Sequence, residues 1–233
     1  AKQGLVLFGI EILAGLVVNQ LLEPGRPCIY NLGLAHVLDM RTAVAVTGGP
    51  ENHLLADVSA AMGRLYGLPS SSWVSTESMG ADSQAALEKA MGFLSHLRSR
   101  VSLIWGVGQL ESELSLSPAQ AVIDDEVVRY ARRLLAGVRV TPETLALDVT
   151  RQVGIAGQFL SHPHTLEHFR GELFEPALLL RRTRAHWDQD GRRPLAAVAE
   201  ERADRLIAAA PTDALSEAES AEMERIEAAF RRR

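Results

Sequence analysis

Helical patterns and short strand-like runs alternate along this chain, and the alternation restricts its fold more than any other feature. Apolar residues recur at spacings of three, four and seven from 51 to 66, and a second such stripe follows Asp82, a predicted N-cap, as far as Arg98. Runs that suit strands lie between the helices, at 27–30, 71–75 and 101–105. Because parallel strands need long crossovers, this order predicts an α/β sheet or barrel without hairpins.

Other residues predict where helices begin and end. Ser117, with Pro118 and Gln120, predicts a capping box and a proline at the first helical position, and the helix is expected to stop at Gly137. Residues 141–142 predict another helix start. The helix predicted at 51–66 is expected to turn inward Leu54, Leu55, Val58, Ala61, Met62 and Leu65. The helix predicted after Asp82 is expected to turn inward Leu87, Ala90, Met91, Leu94 and Leu97.

The connections differ in length according to their direction. Helix-to-strand connections are tight, at 67–69 and 98–100, whereas strand-to-helix connections are long, at 31–50, 76–81 and 106–117. Long ordered loops usually carry function, and in α/β barrels the chemistry lies on the loops that follow the strands. The sequence therefore predicts a site at the carboxyl ends of the strands, with tolerated insertions as the alternative.

The chain changes character after residue 153. We expect 1–153 to form the barrel-like domain and 154–233 to form an irregular segment with C-terminal helices packed on it. One of these helices is predicted from 195 to 209, with Val198, Ala199, Leu206 and Ile207 on one side. A charged helix from 216 to 233 has a thin stripe formed by Met223, Ile226 and Phe230.

The apolar run from 5 to 18 superficially resembles a signal peptide. Glu11 interrupts it and no cleavage pattern follows it, so a buried helix is expected instead of a membrane segment. The chain begins with Ala1 inside this helix, which suggests a piece of a longer protein.

Composition limits the class of protein and its compartment. Apolar residues make up 47% of the 233 residues, which is typical of a globular protein. The net charge of -5 argues against a nucleic-acid-binding protein. Cys28 is the single cysteine, so no internal disulfide is possible, and a reducing, cytoplasmic location is expected.

Histidines near residue 162 suggest one possible chemistry. His162 and His164 are spaced to meet one metal ion, with Glu167, His168 and Glu172 nearby, which suggests a metal-dependent barrel hydrolase. The alternative is that these histidines bond loop backbone or a polar substrate. There is no nucleophile elbow, and the Gly-x-Gly at 106–108 is weak as a phosphate-binding signal.

Aromatic rings and hydrogen-bond acceptors make up the predicted active face. Such a mixture suits a cation that cannot donate hydrogen bonds, such as a quaternary ammonium group, although Trp and Tyr at these positions also fill cores. The residues are Tyr30, Asp39, Trp73, Glu77, Asp82, Gln84, Trp105, Gln109 and Glu111.

A set of short motifs, weak singly but specific in order and spacing, resembles the trimethylamine methyltransferase family, which includes glycine betaine enzymes. The motifs are PGRPCIY at 24–30, DMRT at 39–42, GPE at 49–51, YGLP at 66–69, DSQ at 82–84 with Glu88, IDDE at 123–126, TLA at 144–146 and HT at 164–165. The resemblance extends over nearly the whole chain. It implies the carboxyl-terminal half of a TIM barrel, in 1–153, because family members are about twice as long.

The resemblance also implies an activity. The family transfers a methyl group from a methylated or quaternary amine to the Co(I) of a corrinoid on a separate small protein. Some members carry pyrrolysine in the loop that here reads 76–82, near Met79 or Gly80. Its absence favours glycine betaine or a related betaine over trimethylamine. A non-catalytic fragment remains an alternative. Because a partial barrel leaves open sheet edges, the chain is also expected to self-associate.

Particular residues are expected to form the site on this resemblance. Those near the reacting methyl group are Glu77, Gly80, Asp82 and Gln84. Those that bind the substrate are Tyr30, Arg41, Trp105, Gln109, Glu111, His164 and Arg170. Among the latter, Arg41, His164 and Arg170 are candidates for a contact with a substrate carboxylate.

Overall fold

The computed structural model describes residues 2–32, 36–211 and 215–231 of this mixed α/β chain. Its strands are β1 (Tyr30–Asn31), β2 (Val37–Leu38), β3 (Ala45–Val46), β4 (Ser70–Trp73), β5 (Leu103–Trp105), β6 (Gln109–Leu110) and β7 (Ser115–Leu116). Its helices are α1 (Lys2–Leu22), α2 (Pro50–Leu65), α3 (Ser83–Ser99), α4 (Pro118–Leu135), α5 (Pro142–Leu145), α6 (Leu147–Val153), α7 (Pro163–Glu172), α8 (Arg184–Gln189), α9 (Leu195–Ala208) and α10 (Glu217–Phe230). Ala1 and residues 232–233 of the predicted last helix lie outside the described part.

A three-stranded parallel sheet organises the first part of the chain. Its strand order is β1-β4-β5, with Tyr30 opposite Ser70 and Trp73 opposite Trp105. The helix α2 lies in the connection from β1 to β4, and α3 connects β4 to β5. The three strands of this sheet therefore lie side by side in the order in which they occur along the chain. The predicted alternation of parallel strands and crossover helices is confirmed.

The prediction that the chain contains no hairpins is wrong. Val37 pairs with Val46 in an antiparallel β2–β3 ladder, and Gln109 pairs with Leu116 in β6–β7. Each strand has only two residues, too few to show an alternating pattern in the sequence. Both ladders lie within the long loops that follow β1 and β5, and they give those loops a defined shape.

The faces that α2 and α3 turn inward differ from those predicted. Leu54, Leu65, Leu87 and Met91 are exposed. Apart from Phe93 in α3, the buried positions carry small or polar residues, which are Asn52, Ala56, Ser59, Ala60 and Gly63 in α2 and Ala85, Lys89, Gly92 and His96 in α3. Small side chains allow close helix packing, and a Cβ at Gly63 would lie 3.0 Å from the Leu68 carbonyl oxygen.

The apolar helix α1 is buried on one side only, which corrects the expectation of a buried helix. Phe8, Ile12 and Leu16 pack against the core residues Tyr30 and Leu32. The opposite face is exposed and includes Val6, Leu7, Ile10, Val17, Val18 and Leu21. Within the described residues, no helix combines the length and apolar character needed to span a bilayer.

The helix α4 joins the sheet region to the later part of the chain. The Ser117 hydroxyl accepts the Gln120 N–H as predicted, but the Gln120 side chain donates to Asp124 at 2.7 Å, so the reciprocal half of the predicted capping box is not formed. On its other side, the Glu126 carboxylate accepts backbone N–H groups from residues 177–179 at 2.9 to 3.4 Å. This contact docks the irregular segment onto α4.

The C-terminal helices form at the predicted positions but bury different residues. The helix α9 packs on α4 and buries Ala199 and Ala203, whereas Leu206 and Ile207 of the predicted inward side are exposed. The predicted apolar stripe of α10 is also exposed. The segment between 154 and 194 is less irregular than predicted, because it contains α7 and α8.

Candidate functional site

Two long loops that follow β4 and β5 are joined at the carboxyl edge of the sheet. The Val74 N–H donates to the Trp105 carbonyl at 2.9 Å and continues the sheet by one step. Beyond it, the Glu111 N–H donates to the Ser78 carbonyl and the Ser112 N–H to the Thr76 carbonyl, each at 2.9 Å. The loops 74–82 and 106–113 therefore meet as the sequence predicted.

Polar and aromatic side chains collect on this edge and form what we call the rim cluster. Its members come from the loops after β1, β4 and β5 and from the ends of β4, β5 and β6. They are His36, Thr47, Trp73, Ser75, Glu77, Trp105, Gln109 and Glu113.

Three rings form the aromatic part of the rim cluster. The Trp73 and Trp105 rings meet edge to face, with centroids 5.9 Å apart, and the His36 ring lies 5.0 Å from Trp73. Trp73 is 7% exposed, whereas Trp105 is 46% exposed and presents its ring at the surface. Burial lowers the pKa of His36, and the nearby Glu77 carboxylate partly offsets this effect. A neutral imidazole therefore lies beside the indole pair.

Glu77 occupies the centre of the polar part. Its Oε1 accepts hydrogen bonds from the Thr47 backbone N–H, from the Thr47 hydroxyl at 2.7 Å and from the Gly48 N–H at 3.0 Å. Glu77 thus links the loop after β1 to the loop after β4 at the edge of the sheet.

A second carboxylate, Glu88, braces the same loop from α3. Its Oε2 accepts the Thr76 hydroxyl at 2.5 Å and the Glu77 N–H at 3.2 Å. Its Oε1 accepts the Gln84 side-chain amide at 3.1 Å. Gly48 packs so closely here that an added Cβ would lie 2.8 Å from Glu88 Oε2 and 2.9 Å from the Thr76 Cα.

The backbone is strained beside Glu77, in the 3-10 turn 111–113. Glu111, Ser112 and Glu113 have φ values of 54°, 51° and 77°, a left-handed conformation that disfavours residues with a Cβ. The turn brings the Glu113 carboxylate toward the cluster. Burial raises the pKa of Glu113, and the negative charge of Glu77 raises it further.

A buried ion pair shapes the start of the loop after β5. Lys89 Nζ lies 2.5 Å from Asp124 Oδ2 and also donates to the Gly106 carbonyl at 2.8 Å. The same Asp124 oxygen accepts the Gly108 N–H at 2.7 Å. Burial lowers the pKa of Lys89 and raises that of Asp124, and the opposite charge of each partner counteracts the effect. The pair therefore fixes residues 106–108, because Lys89 bonds the Gly106 carbonyl and Asp124 bonds the Gly108 N–H.

Gly106 is required at the point where this loop begins. Its φ is 96°, and a Cβ there would lie 2.3 Å from the Val74 carbonyl oxygen and 3.0 Å from Gln109 Oε1. Only glycine allows so close an approach. The Gly-x-Gly at 106–108 therefore serves the loop geometry and not a phosphate group.

Among the residues that the structure describes, the buried side-chain N and O atoms that lack a hydrogen-bond partner all belong to the rim cluster. Buried side-chain atoms normally find partners, and exceptions mark strain or a ligand. The five atoms without one are His36 Nδ1, Trp73 Nε1, Ser75 Oγ, Gln109 Oε1 and Glu113 Oε1.

Comparison with known proteins assigns the family. A family model described as "Trimethylamine methyltransferase (MTTB)" matches residues 4–233. The chain belongs to the trimethylamine methyltransferase family. It is 35% identical over 187 residues to trimethylamine methyltransferase MttB of Desulfitobacterium hafniense strain DCB-2, a match that covers 78% of this chain and 37% of the relative.

Two further relatives are named for different substrates. Trimethylamine methyltransferase MttB2 of Methanosarcina mazei is 32% identical, over 87% of this chain and 41% of the relative. The glycine betaine methyltransferase of Desulfitobacterium hafniense strain Y51 is 30% identical, over 80% of this chain and 39% of the relative. The chain thus spans about two fifths of the length of these members of the family.

The residues expected near the transferred methyl group lie in the loop that follows β4 and in the first turn of α3. Glu77 is in the rim cluster, and Gly80 follows it, hydrogen-bonded to Ser78 Oγ at 3.3 Å. A Cβ at Gly80 would meet nothing within 4 Å, so the loop has space at this position. Asp82 caps α3 and is exposed; the backbone bond from Ala85 is the main reason that its pKa is lowered. Gln84 is exposed and bonds Glu88.

Of the residues expected to bind the substrate, the structure brings Trp105, Gln109 and Glu111 to the carboxyl edge. Tyr30 is not there, because it is opposite Ser70 at the other end of β4, and its ring is buried among α1 and α2 residues. Arg41 lies in an exposed turn and pairs with Asp39 at 3.2 Å.

The two candidates from α7 also lie apart from the cluster. His164 stacks near His168 and bonds the Glu143 carbonyl at 3.2 Å. Arg170 stacks on Phe169 and lines a separate cavity of about 1010 Å³ among residues 169–198.

The metal-site hypothesis is wrong for the described residues. His162 Nδ1 accepts the His164 N–H at 3.2 Å and caps α7, so this nitrogen is already occupied. Nowhere in 2–32, 36–211 and 215–231 do three or more His, Cys, Asp or Glu side chains form a group that could hold a metal. His162 and His164 instead bond backbone groups, as in the alternative interpretation of these histidines.

Sequence reasoning missed four members of the rim cluster. His36 and Thr47 lie in the predicted functional loop 31–50, Ser75 ends the predicted strand 71–75, and Glu113 lies in the loop 106–117. Nothing in the sequence distinguished these four residues from their neighbours. Glu113 depends on a left-handed turn that its side chains disfavour, so no local pattern predicts it.

Proposed function

We propose that this protein takes part in methyl transfer from a methylated ammonium compound, most closely a betaine, to the Co(I) of a corrinoid carried by another protein. The proposal includes a fold: 1–153 as the carboxyl-terminal half of a TIM barrel and 154–233 as a segment packed on it. The observation that carries the proposal is the rim cluster, in which indole rings and carboxylates meet at the carboxyl edge of a parallel sheet in a member of this family.

The chemistry of the substrate explains why these side chains suit it. A quaternary nitrogen cannot donate a hydrogen bond, so it is recognised by aromatic faces and by negative charge. Trp105 presents an exposed ring, and Glu77 supplies a carboxylate that Thr47 and Gly48 hold in place within the same cluster. Together they match a permanent cation better than a neutral amine.

The reaction needs orientation more than proton transfer. The methyl carbon exchanges its bond to nitrogen for a bond to cobalt, and the nitrogen keeps the electron pair and leaves as a neutral amine. The corrinoid supplies the nucleophile. The chain's own task is to aim one N-methyl group outward, and the exposed apolar residues Met79, Trp105 and Val107 fit a docking surface for the carrier protein.

The choice of a betaine over trimethylamine rests on the residues near Gly80. The chain has no pyrrolysine in 76–82, and one of its relatives is a glycine betaine methyltransferase. We also propose a cytoplasmic location, where Cys28, a free and half-buried thiol, stays reduced.

The test combines purified protein, glycine betaine or trimethylamine, and a corrinoid protein reduced to Co(I). We expect methyl-Co(III) absorbance to develop with the betaine. No methylated corrinoid with any quaternary amine would contradict the proposed transfer. Tight betaine binding without transfer would instead support a binding domain.

A further inference from the structure

The carboxylate of Glu113 has no satisfying partner. Its Oε1 is buried and unbonded, although a carboxylate can accept several hydrogen bonds. Glu77, in contrast, is fully engaged with Thr47 and Gly48. Within the rim cluster, Glu113 is therefore the carboxylate with free capacity to meet a ligand.

The backbone that presents Glu113 is strained, which adds a second observation. Three consecutive non-glycine residues, 111–113, are left-handed, and two backbone hydrogen bonds to 76 and 78 hold them there. Strain of this kind persists only where the surroundings enforce it and is commonest at functional sites. Here it keeps a carboxylate close to Glu77, against their mutual repulsion.

A third observation comes from the aromatic side of the cluster. Trp73 is 7% exposed, and its Nε1–H has no partner, while its ring contacts Trp105 and His36. A buried indole N–H normally has an acceptor. The rim cluster thus contains unsatisfied groups of opposite hydrogen-bonding character, a donor on Trp73 and an acceptor on Glu113.

From these observations we propose that Glu113 is the specificity-determining residue that contacts the substrate's ammonium group and selects a cationic methyl donor. The inference rests on the proposed function and names the residue that reads the charge. Trp105 supplies the face for the methyl groups, and Glu113 supplies the counter-charge that the nitrogen needs once water has been displaced.

The experiment compares two ligands of the same shape. Glycine betaine and 3,3-dimethylbutanoate differ only in the central atom, a cationic nitrogen or a neutral carbon, so their affinities separate charge from shape. Binding is measured by calorimetry for the wild-type protein, for Glu113→Gln and for the control Glu167→Gln, which alters an exposed glutamate on α7. Tetramethylammonium serves as a further cationic probe without a carboxylate.

We expect Glu113→Gln to weaken betaine and tetramethylammonium binding by about tenfold and not to weaken binding of 3,3-dimethylbutanoate, whose central atom carries no charge. The Glu167→Gln control should bind all three ligands as the wild type does. Equal losses for the two ligands with a cationic nitrogen and for 3,3-dimethylbutanoate would show a merely structural role and overturn the proposal. So would unchanged cation binding in Glu113→Gln, or no cation binding by the wild type.

The outcome is separable from the proposed methyl transfer. Charge-selective binding that depends on Glu113, without methyl-Co(III) formation, would leave the recognition intact and refute the transfer. Folding is checked by thermal unfolding. Because the mutated oxygen has no partner and lies near another carboxylate, we expect Glu113→Gln to be at least as stable as the wild type.

Discussion

Individual buried residues determine how this protein responds to pH. His96 is fully buried beneath the sheet, and its Nδ1 lies 2.8 Å from the Gly92 carbonyl. A carbonyl only accepts, so Nδ1 carries the proton, and Nε2 accepts the Ser72 hydroxyl at 3.0 Å. Burial is the main reason that the pKa of His96 falls from 6.5 to about 4.

Stability is therefore expected to fall in mildly acidic solution. Between pH 6.5 and 4 the unfolded chain binds a proton at this histidine and the folded chain does not, so His96 destabilises the fold by up to about 3 kcal/mol. Urea unfolding at several pH values should show a smaller pH dependence for His96→Gln. The control His186→Phe, on the exposed helix α8, should keep the wild-type dependence; an unchanged slope in His96→Gln would contradict this assignment.

The left-handed turn allows a test of backbone strain at a single position. Ser112 has φ of 51°, and its hydroxyl makes only a long 3.5 Å contact with Glu77. Ser112→Gly removes the Cβ that disfavours this conformation, whereas Ser112→Ala keeps it. We expect the glycine variant to exceed the alanine variant in unfolding free energy by about 1 kcal/mol. Equal stabilities would mean that the turn is unstrained.

At the scale of elements, the ion pair between α3 and α4 has the largest predicted effect. Lys89→Met leaves Asp124 charged and buried, and removing one partner of a buried pair costs about 3 kcal/mol or more. The double variant Lys89→Met/Asp124→Asn should lose less than the sum of the single losses. The control Arg151→Met removes an exposed ion pair with Asp148 and should change little. Additive losses in chemical denaturation would contradict the coupling.

The elements themselves were largely predictable, because their signals are local. Asp82, Ser117 and Thr141 cap helices where the sequence placed the starts. The inward faces were not predictable from apolar spacing. Close contact with the sheet selects small residues such as Ala56 and Gly63, and the larger leucines then point elsewhere.

The positions of the site residues also divide into those that the local sequence indicates and those that depend on contacts between distant segments. Loop length indicated the carboxyl edge of the sheet, where the loops after β4 and β5 are hydrogen-bonded to each other. Tyr30 was misplaced because only the strand register shows that it stands opposite Ser70, at the far end of β4. No local signal identifies His36 or Glu113, whose positions depend on contacts between loops distant in sequence.

For the whole molecule, the exposed face of α1 predicts self-association. At about 100° per residue, Val6, Ile10 and Val17 fall together on the side opposite the half-buried Phe8 and Ile12. Wild-type protein should elute from size-exclusion chromatography as concentration-dependent oligomers, and Ile10→Lys/Val17→Lys should shift it toward monomer. Leu160→Lys, at an exposed apolar residue elsewhere, is the matched control. A stable monomer for the dilute wild type would contradict this prediction.

The two hydrogen bonds from 111 and 112 to 78 and 76 have a kinetic consequence. Neither loop can move away from the other unless both bonds break, so the loops after β4 and β5 are expected to move as one unit.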